Sequence, residues 1–278
     1  MRTIQNQRFD EERALYGSRD ILAKDCSFDG PADGESAFKE CNHVEAEHCF
    51  FNLRYPFWHD HTLEIDNCEL TANCRAALWY TDHALITNSR LHGIKALREC
   101  HDIMLKDCDV DSPEFGWNVH DVELERVNVH GEYFMLNAHE LTLRNVRLEG
   151  KYSFQYVHRA DISDSVFNTK DAFWHSSHMT VRDSEINGEY LGWYSDHLTL
   201  INCDISGTQP LCYCTNLKLI NCRMHGADFA FERSHVQAEL TTPLISVKNP
   251  YSGQITAPAI GEIIRDDENA HGTVIVTG

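Results

Sequence analysis

Leu198-Thr-Leu-Ile-Asn-Cys-Asp-Ile205 is the clearest copy of a phrase that returns throughout this chain. Other copies are Leu63-Glu-Ile-Asp-Asn-Cys-Glu-Leu70, Ile103-Met-Leu-Lys-Asp-Cys-Asp-Val110 and Leu141-Thr-Leu-Arg-Asn-Val-Arg-Leu148. The polar residue before the cysteine slot serves as an anchor. It is Asp25, His48, Asn67, Asn88, Asp107, Arg126, Asn145, Asp164, Asp183, Asn202 and Asn221 in turn. From Asn88 onward every step is 19 residues, and the three earlier steps are 23, 19 and 21. So regular a period means one short unit stacked many times.

Apolar and polar residues alternate within each phrase, so the segments are strands and not helices. Nineteen residues are too few for a βαβ unit, which takes about 30. They suffice for one rung of a parallel β-helix, with neighbouring strands about 4.8 Å apart. The expected fold is therefore all-β: a single-stranded right-handed parallel β-helix of about eleven rungs of 19 residues. Positions four and two before the anchor, and three after it, are apolar in every copy, for example Leu63, Ile65 and Leu70. These are expected to form inward ladders, with Leu63, Leu141 and Leu198 all buried. Gly30, Gly93, Gly131, Gly150, Gly188, Gly207 and Gly226 lie five places after the anchor and read as turn residues with positive φ. The expected organisation is one domain over 1–278: an N-terminal cap at 1–19, rungs at 20–236, and irregular rungs with a cap at 237–278.

The chain has 278 residues, 42% of them hydrophobic, and a net charge of −19. That charge argues against nucleic acid or an anionic membrane as partner, because phosphate binding needs clustered Lys and Arg. No signal-peptide pattern opens the sequence and no run of 18 apolar residues occurs, so a cytoplasmic protein is expected. Six of the 11 cysteines follow the anchor directly, where Ser and Val also occur, and Cys41, Cys100 and Cys214 share a second slot of small residues. They read as small, reduced core residues. Cys74 sits in an insertion and fits neither slot. His61, His101, His120, His139 and His158 share a slot with Asp82, Ser177, Asp196 and Thr215. That interchange reads as turn capping, so neither metal nor cofactor is expected.

The third segment of each rung holds the candidate site. One file reads Lys39, Trp58, Trp79, Arg98, Trp117, Leu136, Gln155, Trp174, Trp193, Cys212, and includes all five tryptophans. The next reads Glu40, His59, Tyr80, Glu99, Asn118, Asn137, Tyr156, His175, Tyr194, Tyr213. Both files read as outward. Aromatic rings beside amides and acids suit a sugar, with ring faces against pyranose faces and polar groups on hydroxyls. Insertions break the period at 30–40 and around Asn73-Cys-Arg75, on the side of the coil that precedes the tryptophan file. Repeat proteins tend to bind on the face that carries insertions. Lys39, Arg54, Tyr55, Trp58, His59, Arg75, Trp79, Tyr80, Lys95, Arg98 and Trp117 are therefore candidate ligand-binding residues, with Asp33 nearby. Glu35, Glu40 and Glu99 are the candidate acid–base residues if the protein is an enzyme. Trp58, Trp79, Arg54, Arg75 and Arg98 are expected to line one cleft.

Glu11-Glu-Arg-Ala-Leu-Tyr-Gly17, Asp33-Gly-Glu-Ser-Ala-Phe-Lys-Glu40, Leu53-Arg-Tyr-Pro-Phe-Trp-His59, Cys74-Arg-Ala-Ala-Leu-Trp-Tyr80, Ser246-Val-Lys-Asn-Pro-Tyr-Ser-Gly253 and Ala259-Ile-Gly-Glu-Ile-Ile264 carry a resemblance. Over nearly its whole length the chain resembles a bacterial family of domains of unknown function with a pectin-lyase-like, single-stranded right-handed β-helix. The resemblance implies a fold and no activity. In better-known β-helix enzymes the substrate lies along one sheet, with Asp, Arg and Lys as catalytic groups. Their catalytic motif does not map onto this sequence, so the analogy favours sugars without naming a reaction. The expected function is carbohydrate binding, with an acidic oligosaccharide the favoured ligand. The alternatives are a non-catalytic interaction scaffold and a polysaccharide lyase or glycoside hydrolase. Either a monomer or an oligomer is compatible with the sequence.

Overall fold

A computed structural model of the chain describes residues 1–30 and 34–278, so Asp33 lies outside the described residues. The described residues contain strands and turns and no helix, and they divide into two compact units, Met1–Thr142 and Leu143–Gly278. Each is a parallel β-solenoid, as the repeat requires.

In the first unit, six-residue strands stack in register from Arg19–Lys24 through Asn42–Glu47, His61–Asp66, Asp82–Thr87 and His101–Lys106 to His120–Glu125. A second sheet is built from short strands such as Phe50–Phe51, Glu69–Leu70 and Arg90–His92. A third, three-stranded sheet pairs Phe57–Trp58, Leu78–Trp79 and Leu97–Arg98. The second unit repeats the scheme, with His158–Ser163, Ser177–Arg182 and Asp196–Ile201 stacked on its first sheet.

The solenoid is longer than eleven rungs: residues 1–19, expected as a cap, contain a coil, and the irregular rungs expected past residue 236 are coils as well. Arg2–Gln5 pairs with Arg19–Lys24 in register, and Arg8–Phe9 pairs with Ser27–Phe28. Past residue 236, Ser252–Ala257 stacks on His235–Leu240, and Thr273–Val276 on Ser252–Ala257. These coils escape the sequence phrase because their turns differ, while the period-two alternation persists: Ile4, Val236, Ala238 and Ile255 are all buried.

The anchors have a conformational reason. All eleven take a left-handed backbone, from Asp183 at φ 49° to Asn145 at φ 55°. Asn and Asp tolerate this region best, which explains their dominance, and His48 and Arg126 show that the coil can impose it on other residues. The glycine file has two causes: Gly188, Gly207 and Gly226 take the expected positive φ, at 151°, 132° and 65°, while Gly131 does not. Gly131 lies inside the strand Asn128–Glu132, and a Cβ there would come within 2.3 Å of the Ser112 carbonyl oxygen. It is needed for close approach of adjacent coils and not for a turn.

The inward ladders are buried throughout, with Leu63, Leu141 and Leu198 at most 2% exposed. Each large side chain so buried contributes roughly 1.5–3 kcal/mol. Aromatic members stack along the coil direction, as Phe28 does on Phe51 at 4.7 Å. All 11 cysteines are reduced and buried. Cys74 is no exception: its thiol donates to the Phe51 carbonyl at 3.0 Å and pins the inserted loop to the core.

Candidate functional site

The third side of the first unit changes character part-way along. Through residues 57–58, 78–79 and 97–98 it is a strand, and amides donate forward to the next coil, as Phe57 does to Ala77 and Leu78 to Ala96. At Gly116 the direction reverses: its amide donates back to Leu97, and Met135 donates back to Phe115. Gly116 sits at φ +76°, and a Cβ there would meet the Met135 sulfur at 2.4 Å. Glycine eases the positive φ at this switch, but Met135, Phe154 and Phe173 take the same conformation in the same slot, at φ 57°, 60° and 62°.

The switch alters the tryptophans. Where the third side is a turn, the indole N–H is bonded: Trp117 donates to the Tyr133 carbonyl at 2.9 Å. In the second unit Trp174 and Trp193 likewise donate to Tyr190 and Gln209. Where the third side is a strand, that bond is not made. Nε1 of Trp58 and of Trp79, and Nε of Arg98, are buried without a partner among the described residues.

The structure brings the predicted aromatic and basic residues into one stack. Trp58 lies on Trp79 with centroids 5.3 Å apart and planes 9° from parallel. Lys39 Nζ sits 4.0 Å over the Trp58 ring. The Arg98 guanidinium lies between the Trp79 and Trp117 rings, at 5.7 and 5.9 Å. Lys95 also approaches Trp117, at 6.0 Å, and is paired with Glu114 at 3.1 Å. Tyr55 leans on both Trp58 and Trp79, and His59 stacks on Tyr80 at 4.9 Å. The rings of this file are half-buried. Their faces are spent on each other and on the two cations, so the platform expected for sugar faces is not offered.

A groove of about 570 Å³ opens beside this stack, lined by Gly30, Asn52, Leu53, Arg54, Ala72, Asn73, Arg75 and Ile94. Its wall includes Arg54 and Arg75, while Trp58, Trp79 and Arg98 lie outside it, so the predicted single cleft is two neighbouring features. The insertion builds the groove. Thr71 and Asn73 side chains both donate to Asn52 Oδ1, at 2.5 and 2.9 Å, and the Arg75 amide closes a tight turn on the Asn73 carbonyl. Arg54 is held by Glu35 at 3.3 Å. Arg75 is exposed and has no carboxylate within 4.0 Å among the described residues. Asn52, Asn73 and Ile94 were not singled out from sequence; the insertion between Leu70 and Leu78 was the available signal.

The candidate acids are each engaged by a neighbour. Glu40 accepts from the Tyr16 hydroxyl at 2.6 Å, Glu99 accepts from the Asn118 amide at 2.8 Å, and Glu35 pairs with Arg54. Arg98 and Lys39 approach Glu99 and Glu40 only at 3.9 and 4.0 Å. The carboxyl with the altered acidity is one that the sequence did not flag. Asp60 is fully buried in the small-residue slot, and burial pushes its carboxyl up to about 8, against the Cys41 amide, which donates to Oδ1 at 2.8 Å and pulls it down.

With this geometry in view, comparison with known proteins adds a family. Residues 2–276 match the model of the family described as Protein of unknown function (DUF3737). The chain belongs to that family. No curated protein matches the sequence. Among solved structures it is similar to PfbA, a surface adhesin of Streptococcus pneumoniae, at 10% identity and a TM-score of 0.40, covering 96% of this chain and 79% of that one. It is also similar to the A-module of the Azotobacter vinelandii mannuronan C-5 epimerase AlgE6, at 11% identity and a TM-score of 0.32, covering 95% and 76%. Neither TM-score reaches 0.5, and neither likeness bears on ligand or activity.

Proposed function

We propose that this DUF3737 protein is a non-catalytic carbohydrate-binding β-helix whose groove at Arg54 and Arg75 holds an acidic oligosaccharide. The observation that carries the reading is the groove's charge: among the described residues two arginines and no carboxylate line it, Arg54 paired with Glu35 at 3.3 Å and Arg75 with none, in a chain of net charge −19. Arg75 offers a planar fork of donors that suits a uronate carboxylate, and Asn73 supplies an amide for hydroxyls. Hydrolysis or elimination would need an acid and a base facing across the ligand. Glu35, Glu40 and Glu99 are instead each bonded to a neighbour, which supports binding without cleavage.

A glycan array followed by titration calorimetry tests this. Uronic-acid oligomers should bind and neutral oligomers of equal length should not, with binding lost in Arg75→Ala and no new reducing ends appearing. Equal binding of neutral and acidic oligomers, or full binding by Arg75→Ala, would refute it. The covered tryptophan faces favour one other reading, a scaffold, which predicts that no glycan binds at all.

A further inference from the structure

We propose that His101, His120 and Asp121 form a binding site for a divalent transition-metal ion on the first sheet of the first unit. The site is separate from the arginine groove and does not rest on the carbohydrate reading. His101 and His120 are direct partners in adjacent parallel strands, so register alone places their rings 5.5 Å apart on one face. Asp121 follows His120 with a left-handed backbone, at φ 53°.

From that position its carboxylate reaches both imidazoles. Oδ2 is 3.2 Å from His101 Nε2 and 2.7 Å from His120 Nδ1. Elsewhere on this sheet Asp82 faces His61 at 3.1 Å, and Asp102 faces His83 at 2.5 Å. One donor atom from each of the three residues falls within 4.8 Å of the other two. Ligands about 2.0–2.2 Å from one ion sit about 3–3.5 Å apart, so a small rotation of these exposed side chains closes the set. His139, whose ring lies 6.2 Å from that of His120, stands next along the same face.

Two imidazoles and a carboxylate select borderline ions such as Ni(II), Co(II), Cu(II) and Zn(II) over Mg(II) or Ca(II). The remaining coordination positions open to solvent, because all three side chains are exposed.

The test is titration of the untagged full chain with Ni²⁺ alone, which avoids the softer ions that its 11 cysteines would take up. Binding should appear at about pH 7.5. His101→Ala, His120→Ala and Asp121→Asn should each weaken it by more than about tenfold. His43→Ala, three strands back on the same sheet, should leave it unchanged. Circular dichroism of each variant checks that the fold survives, which these exposed positions predict. No binding to the wild-type chain, or binding that all three site variants retain, would overturn the assignment.

Discussion

Asp60 gives the sharpest test of how this solenoid tolerates a polar group in its core. Its slot is otherwise filled by small side chains such as Cys41, Thr81 and Cys100, each buried. Oδ1 accepts from the Cys41 amide, while Oδ2 is buried with no partner. A charge there has one donor and, among the described residues, no counter-ion, so the folded chain holds the carboxyl neutral, with its acidity moved from 3.8 to about 8. The sign follows from proton counts. Between those two values the unfolded chain has released the proton and the folded chain keeps it. Stability is therefore highest below the unfolded value and falls as pH rises toward 8, by about 1.4 kcal/mol per pH unit. At pH 7 the loss has reached about 4 kcal/mol on that slope. Asp60→Asn removes the titration, keeps an oxygen for the Cys41 amide and puts a donor where the acid carries its proton. Guanidinium unfolding of both proteins at intervals from pH 4 to pH 8 should give a difference near zero at the acid end that widens in favour of Asn. A difference independent of pH would show that Asp60 is ionised in the fold, and would refute the reasoning.

Other outcomes follow from the same structure. Trp79→Ala removes a half-buried ring stacked on Trp58 and under Arg98, and should cost about 2 kcal/mol in chemical denaturation, between the values for an exposed and a core aromatic. Arg75→Ala removes an exposed, unpaired guanidinium, so its unfolding midpoint should match wild type within about 0.5 kcal/mol while uronate binding is lost. Gly116→Ala places a Cβ at φ +76° against the movable end of Met135 and should cost about 1 kcal/mol in chemical denaturation. Burial pushes the Cys100 thiol up to about 12. A thiol reagent should therefore leave the native chain almost unlabelled at neutral pH and modify 11 cysteines once it is unfolded.

The ladders were legible in the sequence because each slot repeats one physical demand. Leu63, Ile65 and Leu70 state burial at period two, and the anchors state a left-handed turn through Asn and Asp. The end coils were less legible: Ile4 and Ile255 obey the alternation, but their turns lack the phrase that marks the others. The candidate site was legible as a set of residues and not as a geometry. Sequence placed Trp58, Trp79, Arg98 and Lys39 in one file, which is where they stand. It did not show that the third side changes from strand to turn at Gly116, because that depends on which way a peptide faces. Asp60 was missed for a related reason: one acid among small residues looks like variation until its burial is known.

Register explains why the rings and the ligand sites separate. Parallel coils in register set like residues directly above one another, about 4.8 Å apart. Flat rings at that spacing stack, as Trp58 and Trp79 do at 5.3 Å and as Trp174 and Trp193 do in the second unit. A perfect ladder therefore consumes the faces that a sugar would need, and strengthens the solenoid in doing so. Recognition must arise where the ladder is interrupted. The insertion at 71–75 opens the groove by lifting Asn73 and Arg75 out of the repeat, and Asp121 reaches two histidines because His101 and His120 stand in register beside it. On this view the regular slots maintain the fold and the exceptions carry the chemistry. Restoring the period by deleting two residues from 71–75 should then abolish the groove and any uronate binding while leaving Ni²⁺ uptake at His101 and His120 intact; loss of both together would show that the two sites are not independent.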